Sequence, residues 1–361
     1  MQQLDRYVLF RFLYHWIIVA VAFLGMFTVL NLVGEGDEIS EAAELFSGIA
    51  ADVTMFYLLN LPYLLMQFAP YITLLAALAT VISLRRLQEW TPMLVAGRST
   101  IRAFMPMFLS ALLIGVLLLL LREQLFPLIQ NPRAQLQSKI FDQKNWQLQE
   151  IWVRGPHNEH MSVGEFIPRG MESETQPSEV TALELVTLGS EGEDLFYRAD
   201  KATWDGDKWV LENGRLITSG DRASEQSASE IALDGLRPID IERAWRGQNS
   251  PIELTIADAS HLLARDPGHS QAATLIWSMR ISPIVHLILL LLGLPYVLSF
   301  ERKSSLEGVA FGLLLCALFF VVDFLFQDFG HRHILSPWLA GVAPVLLFAG
   351  FSLRAQERFA T

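Results

Sequence analysis

Six runs of mostly apolar residues, each long enough to cross a lipid bilayer, constrain this chain more than any other feature. A membrane-spanning helix needs about 20 such residues. The runs lie at residues 14–33, 53–84, 101–121, 276–300, 306–329 and 337–353. We therefore predict an α-helical membrane protein with three helices in residues 1–121, an inserted domain in residues 122–273, and three helices in residues 274–361.

The second run is longer than one straight crossing requires. As a helix it would extend about 48 Å, against a hydrocarbon core of about 30 Å. Pro62 and Pro70 lie inside this run, and proline bends or ends a helix because it lacks an N–H donor. We expect a short surface helix or a bent entry near Pro62, followed by a crossing from about Pro70.

The distribution of basic residues predicts the orientation, because cytoplasmic loops are enriched in Lys and Arg. Basic residues precede the first run, lie in the second–third and fourth–fifth connections, and follow the sixth run. They are Arg6, Arg11, Arg85, Arg86, Arg98, Arg102, Arg302, Lys303, Arg354 and Arg358. Residues 34–52 contain none. We expect both termini in the cytoplasm and the insert in the periplasm.

The insert has the pattern of a water-exposed β domain. Short runs rich in β-branched and aromatic residues are candidate strands, at 151–153, 160–166, 180–188, 195–197, 202–204 and 209–211. Asp205-Gly206 and Asn213-Gly214 are strong turn dipeptides, so residues 195–217 favour a meander of short antiparallel strands. Such strands indicate a sandwich or a jelly roll. Residues 254–263 favour a helix that returns to the membrane.

Composition and motifs argue against several classes of function. The formal net charge of −11 disfavours nucleic-acid binding, which requires basic patches. The chain has no G-x-x-x-x-G-K-[ST] motif, so we expect no catalytic or cofactor site here, and any ATP and Mg²⁺ to be used by another subunit. The single cysteine, Cys316, is expected to be a core residue. His157 and His160 could bind a metal, although a solvated loop is favoured.

The segment at residues 85–104, RRLQEWTPMLVAGRSTIRAF, predicts a short helix with its own end signals. Thr91 can cap it, Pro92 fits its first position and Gly97 its end. Its apolar contacts would be Trp90, Met93 and Leu94. Because so short a helix is marginal in water, it must lie against a partner. That partner is either the lipid interface or a groove of a cytoplasmic ATPase, with Glu89 making a polar contact at the entry.

Charged residues near the ends of the runs are a second group of candidates. Arg122, Arg280 and Arg332 either extend to the membrane surface as ordinary interfacial side chains or meet lipid phosphate, which guanidinium binds through two donors. Asp323 lies inside the fifth run, where a carboxylate is costly. It is either functional or hydrogen-bonded to a neighbouring helix. Prolines that permit bends or gate movements are also candidates: Pro62, Pro70, Pro283 and Pro295.

Taken in order, these features resemble the YjgP/YjgQ permease family, which contains LptF and LptG, the transmembrane subunits of the lipopolysaccharide exporter. The matching positions include Leu4-Asp5-Arg6-Tyr7, Pro62, Pro70, Glu89, Gly97, Trp204, Asp205-Gly206, Trp209, Asn213-Gly214, Arg280, Pro283, Gly293 and Pro295. Each motif alone is weak, but the ordered set covers essentially the whole chain. The opening motif slightly favours LptG.

The resemblance implies a transporter subunit without an ATPase site of its own. A paralogous LptF/LptG subunit would face it across an apolar cavity in the bacterial inner membrane, and an LptB-like ATPase dimer would dock on the cytoplasmic loops. Residues 89–97 would be the coupling helix, and the first and fifth spans would line a lateral gate. Lipopolysaccharide would leave through the periplasmic β-jelly-roll domain toward LptC- and LptA-like proteins.

One stretch departs from the family pattern. LptG proteins often carry lysines at the outer end of the first span, whereas residues 31–38 contain Glu35, Asp37 and Glu38 and no lysine. Either the partner subunit supplies the cations, the substrate is less charged, or this chain is the LptF-like half. The alternative function is a membrane-anchored sensor or assembly factor whose β domain binds a periplasmic partner without transport.

Overall fold

The computed structural model of the chain describes residues 3–46, 48–95, 99–142, 148–157, 159–168, 177–188, 194–219, 224–231, 236–299 and 305–357. Its contacts divide the chain into two compact units. The helical unit comprises Met1–Gly36, Tyr57–Leu125 and Ala273–Thr361. The second unit comprises Asp37–Phe56 and Phe126–Ala272 and contains the β-sheet.

Within the described ranges, six helices are long and apolar enough to cross a membrane. They are α1 (Gln3–Gly34), α3 (Ile49–Arg86), α5 (Thr100–Gln137), α8 (Ser270–Ser299), α9 (Ser305–His331) and α10 (Pro337–Glu357). Two short helices lie in the connections: α2 (Gly36–Leu45) and α4 (Trp90–Val95). The predicted α-helical membrane fold, with three spans on either side of an insert, is confirmed.

Of the two expectations near Pro62, the short surface helix is wrong and the bent entry stays a prediction. α3 is one continuous helix of 38 residues with Pro62 and Pro70 both inside it. Proline is tolerated within membrane helices because neighbouring groups can satisfy the freed carbonyls. A separate short helix does precede the span, but it is α2, which ends at Leu45, in a stretch where the sequence indicates no regular structure.

The core of the helical unit is one cluster to which all six long helices contribute. Close helix contacts occur where glycine leaves no side chain. A Cβ at Gly115 of α5 would lie 2.7 Å from the Pro283 Cα of α8. A Cβ at Gly312 of α9 would lie 2.2 Å from the Leu78 Cδ1 of α3. Cys316 is buried in this cluster, as expected of a core residue.

The second unit contains an antiparallel sheet inserted between the third and fourth spans, as predicted. Its strands are β1 (Leu148–Arg154), β2 (His160–Ile167), β3 (Glu179–Leu188), β4 (Asp194–Trp204), β5 (Trp209–Glu212), β6 (Arg215–Ser219), β7 (Ser224–Ser227) and β8 (Glu230–Ile231). The first four pair in chain order, β5 and β6 both pair with β4, and β8 and β7 pair with β5 and β6. The described strands thus form one up-and-down sheet, without the Greek-key crossings of a complete jelly roll.

The meander expected at residues 195–217 is simpler in the structure. The runs 195–197 and 202–204 belong to one strand, β4. Asp205-Gly206 reverses the chain, with Gly206 at a φ of +116°. Asn213-Gly214 does not, because β5 and β6 continue along β4 in one register. A Cβ at Gly214 would lie 2.2 Å from the Ala228 carbonyl oxygen, so glycine permits this close approach instead of a hairpin.

Two helices follow the sheet. α7 (Ile256–Arg265) confirms the helix predicted at 254–263, and Thr255 caps it by accepting a hydrogen bond from the Asp258 N–H. α6 (Pro238–Asn249) is not predicted by the sequence pattern, yet its Ile241 closes the core of the sheet. α6 also buries an ion pair between Glu242 and Arg246 at 3.0 Å. Burial raises the pKa of the Glu242 carboxyl, and the Arg246 guanidinium opposes that shift.

Candidate functional site

The candidate site is the α3–α5 connection, defined here as residues 87–95. α3 ends in a turn in which Gln88 has a φ of 61°. The Glu89 N–H donates to the Leu84 carbonyl at 3.0 Å, and the Gln88 N–H to the Arg85 carbonyl at 3.1 Å. These two bonds form a Schellman motif, which usually has glycine in the left-handed position. The turn fixes where Glu89 lies and where α4 begins.

One face of α4 packs against the helical core. Met93 is 6% exposed and belongs to the core cluster. The Trp90 ring stacks on the Phe104 ring of α5, with centroids 4.8 Å apart and planes 5° apart. These two side chains thus hold α4 against its own chain, and their contact with an ATPase groove stays a prediction.

The opposite face of α4 is open. Val95, the last residue of α4, is 81% exposed, and Leu87, in the turn before α4, is 54% exposed. Neither is among the predicted contact residues. α4 begins at Trp90, so Thr91 lies inside the helix and is not its cap. Gly97 and the side chain of Leu94 lie outside the described residues. Beside the predicted contact residues, the connection therefore has exposed apolar side chains at its two ends.

Glu89 is engaged by the first span. Its Oε2 atom accepts a hydrogen bond from the Tyr7 hydroxyl at 2.7 Å and from the Arg11 Nη1 at 3.2 Å. The Arg11 Nη1 also donates to the Tyr7 hydroxyl. The second guanidinium nitrogen, Nη2, donates to the Ser83 Oγ of α3 at 2.9 Å. The Glu89 side chain remains 35% exposed, so its carboxylate is held from one side and open to solvent from another.

The three arginine candidates have different surroundings. Arg280 is exposed on α8, with its guanidinium 6.0 Å from the centre of the Trp277 ring. No carboxylate of the described residues forms an ion pair with it. Arg332 donates to the Asp328 Oδ1 at 2.9 Å, which compensates its charge locally. Arg122 is half-buried on α5.

The remaining candidates lie on α8 and α9. Asp323 is half-buried and accepts a hydrogen bond from the Gln327 Nε2 at 2.7 Å, so this partner lies on its own helix, not on a neighbouring one. Pro283 is buried against Gly115, whereas Pro295 is half-buried near the end of α8. Within the described part of the chain, no group of three or more His, Cys, Asp or Glu side chains is arranged to hold a metal ion.

These observations can be set beside known proteins. Residues 6–356 match the family described as lipopolysaccharide export system permease LptF/LptG. No individually curated protein matches the chain. Because the family match extends over nearly the whole sequence and agrees with six spans around an inserted antiparallel β domain, the chain belongs to the LptF/LptG family and is a transmembrane permease subunit, a multi-pass protein of the inner membrane.

Proposed function

We propose that the chain is one of two transmembrane halves of an exporter that extracts lipopolysaccharide from the inner membrane and is driven by a separate cytoplasmic ATPase. The structure of the α3–α5 connection is the observation that most directly supports an exporter driven by a separate ATPase. Trp90 and Met93 anchor it to the core while Leu87 and Val95 project from it. Exposed apolar side chains on a short segment that is packed against the core are suited to a groove of a partner protein.

The complete assembly in this proposal has several other chains. A paralogous LptF/LptG subunit faces this one across an apolar cavity, an LptB-like ATPase dimer binds and hydrolyses ATP with Mg²⁺, and LptC- and LptA-like β-jelly-roll proteins receive the lipopolysaccharide. This chain binds no cofactor and no nucleic acid. The basic residues near the span ends support an orientation with both termini and the α3–α5 connection in the cytoplasm and the β domain in the periplasm.

The exposed faces of two spans are evidence for the proposed apolar cavity. Within the most apolar 18 residues of each span, only 6% are buried in α1 and 22% in α9, the lowest values of the six. Large apolar side chains remain exposed along both helices, including Phe10, Ile17, Val29, Leu314 and Phe324. In a membrane such faces meet lipid or a second subunit. This agrees with a lateral gate formed by the first and fifth spans.

A docking variant tests the proposal. Val95→Asp places a carboxylate on the open face of α4 without touching the packed face. Burying that charge in an apolar groove should lower ATPase retention on the affinity-purified assembly by about tenfold, which corresponds to about 1.4 kcal/mol of binding free energy. The measurement is the amount of ATP-hydrolysing subunit that co-purifies from native membranes, together with the ATP turnover of the eluate.

A matched control is Ile334→Asp, which changes an equally apolar side chain, 63% exposed, in the connection between α9 and α10. This control should retain the ATPase because we place its loop on the opposite membrane side. If Val95→Asp and the unchanged protein retain equal amounts of the ATPase, the α3–α5 connection is not the docking site. An unchanged protein that captures no ATPase at all would favour the sensor or assembly-factor function.

A further inference from the structure

The first span is attached to the rest of the helical unit by few buried side chains. Only Val8, Phe12 and Ala20 of α1 are buried. Leu4, Leu13, Trp16 and Val19 are only partly buried against the core, so polar contacts also contribute to the position of this helix. On the half of α1 that begins the chain, two of the polar contacts converge on one side chain of the α3–α5 connection.

That side chain is Glu89, which accepts from two residues of α1. Tyr7 and Arg11 are four positions apart and therefore share one helix face, so both donors reach the same Oε2 atom, at 2.7 Å and 3.2 Å. Arg11 extends the contact to Ser83 of α3. Hydrogen bonds between charged groups are the stronger kind, and the Arg11 side chain is only 21% exposed, which limits screening by water.

Further polar contacts join α1 to α3 beyond this point. The Thr80 hydroxyl lies 3.3 Å from the His15 Nδ1. The Trp16 Nε1 donates to the Thr73 hydroxyl at 3.1 Å, and the Thr73 hydroxyl also lies 3.1 Å from the buried His286 Nδ1 of α8. These hydroxyls are surrounded by apolar side chains, where an unmade hydrogen bond is costly. The first half of α1 is thus joined to α3 at successive turns.

The turn before Glu89 strengthens the link. Gln88 occupies the left-handed backbone region, which is unfavourable for a residue with a side chain. Such a conformation persists where surrounding contacts over-determine it. Here the Schellman bonds hold Glu89 from α3, and Tyr7 and Arg11 hold it from α1. A displacement of the connection therefore cannot leave α1 in place without breaking charged hydrogen bonds.

We propose that Tyr7 and Arg11 are positioning residues that tie the α3–α5 connection to α1 through Glu89, so that movement of the connection by the ATPase is passed to the first span. The proposal deepens the proposed function and rests on it. It gives Glu89 a role different from a direct contact with the ATPase: its carboxylate is the joint between the docking segment and the helix that faces the cavity.

A charge exchange tests this joint. The variants are Arg11→Glu, Glu89→Arg and the double exchange, all made in the complete reconstituted assembly. Tyr7→Phe removes only the hydroxyl donor, and Arg6→Gln is the matched control, since Arg6 is an exposed basic residue on the same helix. The measurements are ATPase retention and the amount of lipopolysaccharide released per ATP hydrolysed.

The expected result separates docking from coupling. Both single charge reversals should retain the ATPase yet lower lipid release per ATP by about fivefold, the lower end of typical coupling free energies. The double exchange should restore release to within about twofold of the unchanged assembly, because the ion pair is re-formed with its partners exchanged. Tyr7→Phe should have a smaller effect in the same direction, and Arg6→Gln none.

Two outcomes would overturn the inference. One is unaltered release per ATP in Arg11→Glu. The other is a double exchange no better than Glu89→Arg alone, which would mean that Glu89 acts directly on the partner. A second measurement does not depend on the ATPase: amide hydrogen exchange of residues 89–95 in the purified chain should accelerate in Arg11→Glu and not in Arg6→Gln. If the unchanged protein captures no ATPase, the proposed function fails. The amide hydrogen exchange would still show whether the contact of Glu89 with α1 holds the α3–α5 connection in place.

Discussion

At the scale of single residues, Arg280 is better placed than Arg122 or Arg332 to meet an anionic lipid headgroup. Arg332 already has a carboxylate partner in Asp328. Arg122 is half-buried, whereas Arg280 is exposed and lies over the Trp277 ring. Guanidinium binds phosphate through two parallel donors, so an exposed arginine without a competing carboxylate offers the stronger interaction.

Replacing Arg280 by glutamate should therefore lower the lipopolysaccharide-stimulated ATP hydrolysis of the reconstituted assembly. Loss of a hydrogen bond to a charged group costs about 1.5–3 kcal/mol. The lipid concentration that gives half-maximal stimulation should therefore rise at least about tenfold. Arg280→Lys should retain part of the response, and Arg332→Gln should change it little. A response to Arg280→Glu equal to that of the unchanged protein would exclude Arg280 from headgroup binding.

Individual site residues were the least predictable part of the molecule. The sequence places Trp90, Met93 and Glu89 on one short helix, and the structure confirms that a helix lies there. Which of its sides faces the core depends on Phe104 of α5 and on Tyr7 and Arg11 of α1, which are distant in sequence. Local spacing cannot reveal such contacts, so the exposure of Leu87 and Val95 becomes visible only in three dimensions.

At the scale of elements, the contact between α5 and α8 depends on a glycine facing a proline. Pro283 has no N–H, so it interrupts the hydrogen-bond ladder of α8, and its Cα would lie 2.7 Å from a Cβ at Gly115. The neighbour is backbone, which cannot rotate away as a flexible side chain can. Pro283 marks the closest described approach of these two helices at a glycine, and its role as a bend or gate stays a prediction.

Gly115→Leu should accordingly destabilise the protein. Overpacking typically costs about 1–3 kcal/mol, and the midpoint of thermal unfolding of the purified chain should fall. Gly25→Leu is the control, because no heavy atom lies within 4 Å of a Cβ built at Gly25 of α1. A Gly115→Leu protein that unfolds at the same temperature as the Gly25→Leu protein would show that α5 and α8 do not pack as described.

The elements that the sequence predicts are those with a strong local signal. The spans follow from continuous apolar runs, and β2, β3 and β5 from β-branched and aromatic residues near turn dipeptides. α6 has apolar residues at helical spacing, Ile241, Ala244 and Trp245, but its sequence is rich in charged residues, and the ion pair of Glu242 and Arg246 that it buries has no local signal. The Asn213-Gly214 dipeptide is locally a turn former, and it is the pairing of both flanking strands with β4 that keeps β5 and β6 in line.

At the scale of the whole molecule, the family assignment and the orientation have different support. The match over residues 6–356 establishes an LptF/LptG permease. It names both members together, so the preference for LptG stays a prediction. The orientation rests on the distribution of basic residues. It matters for function because a cytoplasmic ATPase can reach the α3–α5 connection only if the β domain lies on the other side of the membrane.

Cysteine labelling tests that orientation. The only native cysteine, Cys316, is 8% exposed in the helical core, so the unchanged protein should react little with a membrane-impermeant maleimide. Glu184→Cys introduces a thiol on the sheet, where the native side chain is 60% exposed, and Gln3→Cys introduces one at the exposed start of α1. In cells with a permeabilised outer membrane, we expect labelling of Glu184→Cys only, and labelling of both after the inner membrane is lysed. The reverse pattern would place the α3–α5 connection outside the cytoplasm, where no ATP-driven partner could act on it, and the exporter proposal would have to be abandoned.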